Sequence, residues 1–177
     1  SSTAWDTVAA NWSQTGVGGK NYTEGDKVSF DTSGVTLNGG NVVVAAGGVA
    51  PTKVTVSNIS GNYTFSGGSI NDVAGGTTNF VKTGGGNLTL TAANNFSGGF
   101  TLAGGTVITG SLADLGTGNI TFNGGSLQAT ADLSSSRDIG FIGAGTIDTN
   151  GINMTFSGHL YGGGTFTKTG NGTLTLT

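Results

Sequence analysis

Apolar residues in this chain alternate with single polar ones in short bursts: Val28-Ser29-Phe30, Val54-Thr55-Val56, Tyr63-Thr64-Phe65, Leu88-Thr89-Leu90, Ile120-Thr121-Phe122, Met154-Thr155-Phe156 and Leu174-Thr175-Leu176. A period of two, with Thr or Ser between apolar neighbours, predicts half-buried strands with one face inward and the hydroxyl face in water. A glycine-rich corner closes each burst after a few residues. Helical periodicity is nearly absent. Only SLADLG, residues 111–116, predicts a single helical turn, stopped by Gly116.

The corners repeat. TLAGGTVI (101–108), TFNGGSLQ (121–128) and TFSGGSIN (64–71) each read as strand, Gly-Gly corner, strand, and TLNGGNVVV from Thr36 and NFSGGFTL from Asn95 follow more loosely. A longer phrase, FVKTGGGNLTLT at 80–91, returns as FTKTGNGTLTLT at 166–177. A β-sandwich needs strands of about 5–6 residues with turns every 8–12 or so. Shorter, mutually similar strands instead predict an all-β solenoid, a parallel β-helix with three short faces per coil. Coils of about 20 residues rising roughly 4.8 Å each would make seven or eight of them a rod of roughly 35 Å. Glycine fits corners that need positive φ and close stacking. Asn before Gly, in Asn38-Gly39, Asn123-Gly124, Asn150-Gly151 and Asn171-Gly172, is expected to share that conformation.

Composition supports a folded rod over a disordered tail. Glycine supplies 36 of 177 residues without a Gly-X-Y period, and the regular Val, Ile, Leu and Phe between the glycines need burying. Six basic residues, Lys20, Lys27, Lys53, Lys82, Arg137 and Lys168, are scattered singly against nine acidic ones, a poor surface for nucleic acid. The longest apolar runs, such as 41–46, fall far short of the roughly 20 residues of a membrane span. Cysteine is absent, which excludes disulfides and thiolate metal sites. The chain opens SSTAW without a signal sequence and is expected to be a processed or excised piece of a longer one.

Residues 80–108, FVKTGGGNLTLTAANNFSGGFTLAGGTVI, resemble the passenger-associated transport repeat, also called the autotransporter-associated β-strand repeat. The motif positions are Phe80, Lys82, Gly84, Gly86, Leu88, Leu90, Gly98, Gly99, Gly104 and Gly105. A second repeat begins with Phe166, Lys168, Gly170, Gly172, Leu174 and Leu176, and is expected to continue beyond Thr177. Residues 3–31, with Trp5, Trp12, Gly25-Asp26 and Phe30, resemble the segments that open such passenger regions. The expected organisation is an N-terminal cap at 1–30, with Trp5, Trp12 and Tyr22 covering the first coil, and one continuous solenoid at 31–177. The resemblance implies a right-handed parallel β-helix on the surface of a Gram-negative bacterium, exported by a type V route and acting as a non-enzymatic stalk or adhesive rod.

Candidate chemistry is sparse. His159 is the single histidine and is expected at a surface or corner. Asp132, Arg137 and Asp138 form the one tight charge cluster, read first as a solvated loop with a local ion pair and second, with Tyr161, as a glycan site. Tyr63, Tyr161, Phe96 and Phe100 could form an aromatic strip for sugars, but the Phe residues alternate in phase with Leu or Val and are expected in the core. GGGN at 84–87 lacks the Lys-Ser/Thr of a phosphate loop and the repeated Asp of a calcium repeat. Expected partners are further repeats of the parent chain, a host, cell-surface or glycan ligand, and a second copy meeting it end to end; no cofactor, metal, nucleic acid or membrane insertion is expected.

Overall fold

The computed structural model describes residues 3–9, 12–14 and 17–177. The alternation of apolar and hydroxyl residues decides which way each strand faces, and the glycine corners decide where the chain turns. Parallel strands stack into three faces of a β-solenoid. Face one carries seven strands: Lys27–Phe30, Lys53–Val56, Asn79–Lys82, Phe100–Leu102, Ile120–Phe122, Ile139–Phe141 and Leu160–Tyr161. Face two carries eight, from Ala4–Trp5 and Asn41–Val44 through Asn62–Gly67, Asn87–Leu90, Thr106–Thr109, Ser126–Ala129 and Gly145–Asp148 to Phe166–Thr169. Face three is a full sheet only late in the chain, at Leu133–Ser135, Met154–Phe156 and Leu174–Leu176. Earlier coils fill it with a lone bridge, Val49 to Ile70, and with the 3-10 helix Leu112–Leu115.

Coil length is uneven. On face one Phe80 pairs with Phe100, and Phe100 with Ile120, twenty residues apart as expected. Val28, Val54 and Phe80 are instead twenty-six apart. The extra residues of the first coil form an α-helix, Thr32–Asn38, so the reading of Thr36–Asn38 as a strand is corrected. The reason is local: Asp31 is an N-cap whose carboxylate accepts the Ser33 N–H at 2.9 Å, and Gly39 closes the helix at φ 61°. Gly34 leaves room for the ring of Tyr63, whose hydroxyl donates to the Asp31 carbonyl at 2.7 Å. A Cβ at position 34 would stand 2.0 Å from that hydroxyl oxygen.

Register places like residues above one another inside. Phe80 and Phe100 stack with ring centroids 4.7 Å apart, and Phe122 on Phe141 at 4.9 Å. Phe96 and Phe100 are buried, as expected of core residues, and Tyr63 is buried with them. Each inward Val, Leu or Phe contributes about 1.5–3 kcal/mol relative to exposure, so the core runs the length of the rod without a thick centre. At the N-terminal end Trp5 is fully buried, edge-on to Phe30 at 5.2 Å and Tyr22 at 5.7 Å. Strands Trp12–Gln14 and Val17–Lys20 pair as a hairpin, the one antiparallel pairing among the described residues. The Trp12 side chain, one of the expected cap residues, lies outside the described part. Lys27–Phe30 is already the first strand of face one.

The repeated phrase does not recur at the same place in the coil. In its first copy Asn79–Lys82 lies on face one and Asn87–Leu90 on face two. In its second copy Phe166–Thr169 lies on face two and Leu174–Leu176 on face three. The phrase therefore encodes strand, corner, strand, and can serve at different corners of the solenoid. The expectation about Asn holds at Asn150 and is corrected at Asn38, Asn123 and Asn171. Asn150, at φ 49°, is the one non-glycine residue of positive φ among those described, and Gly39, Gly124 and Gly151 take that conformation themselves.

Candidate functional site

The motif lysine is built into a corner. Lys82 points inward from Asn79–Lys82, is fully buried, and donates to the carbonyls of Thr83 at 2.6 Å and Gly84 at 3.1 Å. Burial pushes its pKa down to about 8. Lys168, in the second copy, reaches the matching carbonyl, Gly170, at 2.9 Å. Gly84 makes this corner possible: its φ is 73°, and a Cβ there would stand 2.4 Å from the Asn58 carbonyl oxygen of the preceding coil. The motif lysine thus ties down carbonyls that the tight corner withholds from the β-ladder.

Each member of the charge cluster is engaged with the backbone of a neighbouring coil. Arg137 reaches back one coil and donates to the carbonyls of Leu112 at 2.9 Å, Gly118 at 3.1 Å and Gly116. Burial lowers its pKa. Asp132 and Asp138 reach forward one coil, accepting the backbone N–H groups of Asn153 at 3.2 Å and His159 at 3.0 Å. No local ion pair joins Arg137 to either carboxylate among the described residues; its guanidinium caps the backbone around the 3-10 helix instead. Tyr161 lies across Gly140 of the neighbouring strand and beside the exposed ring of His159, centroids 5.9 Å apart and interplanar angle 10°.

One acidic residue that the sequence pattern did not single out is held differently. Asp114 is buried in the 3-10 helix Leu112–Leu115, and burial raises its pKa against the opposing pull of hydrogen bonds from Thr109 and Ser111. Thr109 Oγ1 stands 2.6 Å from Asp114 Oδ2 and 2.7 Å from the Ser111 carbonyl, and accepts the Ser111 N–H at 3.1 Å. With Asp114 ionised, the threonine proton goes to the carboxylate. With Asp114 protonated, the carboxyl donates to Thr109, which then donates to Ser111. Beside it opens a cavity of about 340 Å³ lined by Thr89, Leu90, Thr91, Thr109, Ser111 and Thr130. The signal for this site was present only as the acid inside SLADLG; its burial depends on the turn packing against the preceding coil, where Asn94 donates to the Asp114 carbonyl at 2.6 Å.

Among the described residues no three His, Cys, Asp or Glu side chains gather as metal ligands. A second cavity, of about 530 Å³, lies at the C-terminal coil between Phe156, His159, Leu160 and Leu176. Phe166 and Leu176 are exposed there by 40% and 48%, although their strand positions face inward.

Comparison with known proteins follows this architecture. The family model Passenger-associated-transport-repeat matches residues 80–108 and 166–177. The Adhesin BmaC autotransporter of Brucella suis biovar 1 (strain 1330) is 35% identical over 152 residues, which cover 84% of this chain and 4% of the adhesin. No solved structure matches.

Proposed function

This chain is a passenger-associated-transport-repeat protein, autotransporter-like, and we propose that it serves as a rigid, non-enzymatic stalk segment of a large exported surface protein with an adhesive role. The observation that carries the reading is the unbroken parallel register of faces one and two from the first coil to the last. Each coil presents a row of free backbone donors and acceptors and a set of inward apolar side chains, here Phe166, Leu174 and Leu176. That edge is a template on which a following coil of the same chain gains hydrogen bonds and apolar burial at once. Folding outside the cell then needs no energy source, because each coil is stabilised by the one before it. Outward Thr, Ser and Asn rows keep the shaft neutral and wet while ligand contacts are made along its length.

Surface display tests this. Fused behind a secretion signal and ahead of an outer-membrane β-barrel, the chain is expected on intact bacteria, accessible to antibody and resistant to mild protease. Retention inside the envelope, or display in a form that protease removes at once, would contradict the proposal.

A further inference from the structure

We propose that the cavity beside Thr109 is a binding site for a neutral polyhydroxylated ligand the size of one sugar ring, held by the Asp114 carboxylate and the surrounding hydroxyl groups. Its volume, about 340 Å³, lies at the small end of the roughly 300–1,000 Å³ typical of ligand sites. Three successive coils contribute its walls: Thr89 and Thr91 from one, Thr109 and Ser111 from the next, Thr130 from the third. Threonine and serine hydroxyls each donate once and accept twice, and a carboxylate accepts from two neighbouring hydroxyls, which together match a vicinal diol. The methyls of Thr91 and Thr130, both exposed, offer an apolar strip for the C–H face of a ring.

The turn closes through backbone bonds, Asp114 N–H to the Ser111 carbonyl and Gly116 N–H to the Ala113 carbonyl, and through the Ser111 cap on Ala113 N–H. The carboxylate, 6% exposed, also accepts from the Thr109 hydroxyl and the Ser111 N–H, and, lining the cavity, it keeps acceptor capacity for a ligand's hydroxyls. No Lys or Arg lines the cavity, so an anionic ligand has nothing to neutralise it. Calcium wants about 6–8 oxygen ligands, commonly with several carboxylates, and Asp114 is the single carboxylate here. The proposal is independent of the stalk reading, which concerns export and folding and would survive its failure.

Amide-resolved NMR of the labelled chain, titrated separately with glucose, galactose, mannose, fucose, glucuronate and calcium chloride, tests it. At least one neutral sugar is expected to give saturable shifts confined to Thr89, Thr91, Thr109, Asp114 and Thr130, with none from glucuronate. Asp114→Asn, which keeps a hydrogen bond to Thr109, should weaken that sugar by about tenfold or more, as expected for losing a charged acceptor. Thr130→Val, on the far wall, gives the same reading if the first variant fails to fold. No saturable shift from any neutral sugar, shifts spread over all the outward threonine rows, or a response to calcium alone would overturn the assignment.

Discussion

Lys82 shows how much one position can say and withhold. Its place in the repeated phrase was legible, because Lys168 stands at the same step of the second copy. Its burial was not, since a lysine beside glycines reads as a solvated corner until the next coil is stacked over it. The burial has a measurable consequence. The folded-state pKa of about 8 lies below the roughly 10.4 of an exposed lysine. Between those values the unfolded chain binds more protons than the folded one, so stability rises with pH from about 8 to about 10 and is insensitive to this group below. Tyr63, raised to about 12 by burial, and Tyr22, raised further, act the other way only above about pH 10, where the unfolded tyrosines ionise. Denaturant midpoints at pH 8 and pH 10 are expected to increase with pH in the wild type and to lose that increase in Lys82→Met. A flat wild-type profile would remove the buried ammonium from the account. Arg137 was misjudged for a related reason: the carbonyls it binds lie one coil away in space but about twenty residues away in sequence.

The strands were readable as elements because their alternation is local, and every three-residue burst noted in the sequence lies within a strand. Two things at this scale were hidden. The helix Thr32–Asn38 carries Gly34 and two threonines, poor helix formers, and exists because Asp31 and Gly39 cap it and Tyr63 holds its first turn. Which face a strand occupies was hidden too, because the repeated phrase fits more than one corner and only the accumulated lengths of earlier coils choose. The helix yields a direct prediction. Asp31→Ala should cost about 1 kcal/mol of stability through the lost cap, and Gly34→Ala should cost more than that, because its Cβ collides with the Tyr63 hydroxyl. Equilibrium urea unfolding measures both. Equal, negligible effects would mean that the helix is not held as described.

At the scale of the whole molecule, a solenoid has no single centre whose burial could be lost all at once. Stability accumulates by contacts between neighbouring coils, and the aromatic cluster of Trp5, Tyr22 and Phe30 adds to it near residue 30. The architecture was legible because glycine corners and short alternating bursts leave few other folds. The coil lengths were not, because the helix in the first coil and the loop ahead of Asn79 in the second lengthen those turns without disturbing the register. The central claim is that such a rod assembles on its own preceding coils with no outside help. Refolding of the purified chain from denaturant by dilution, without nucleotide or chaperone and followed by backbone hydrogen exchange, tests it most directly. The account predicts full return of protection across faces one and two with a cooperative melt; a chain that stays unprotected or aggregates until a chaperone is added would contradict it.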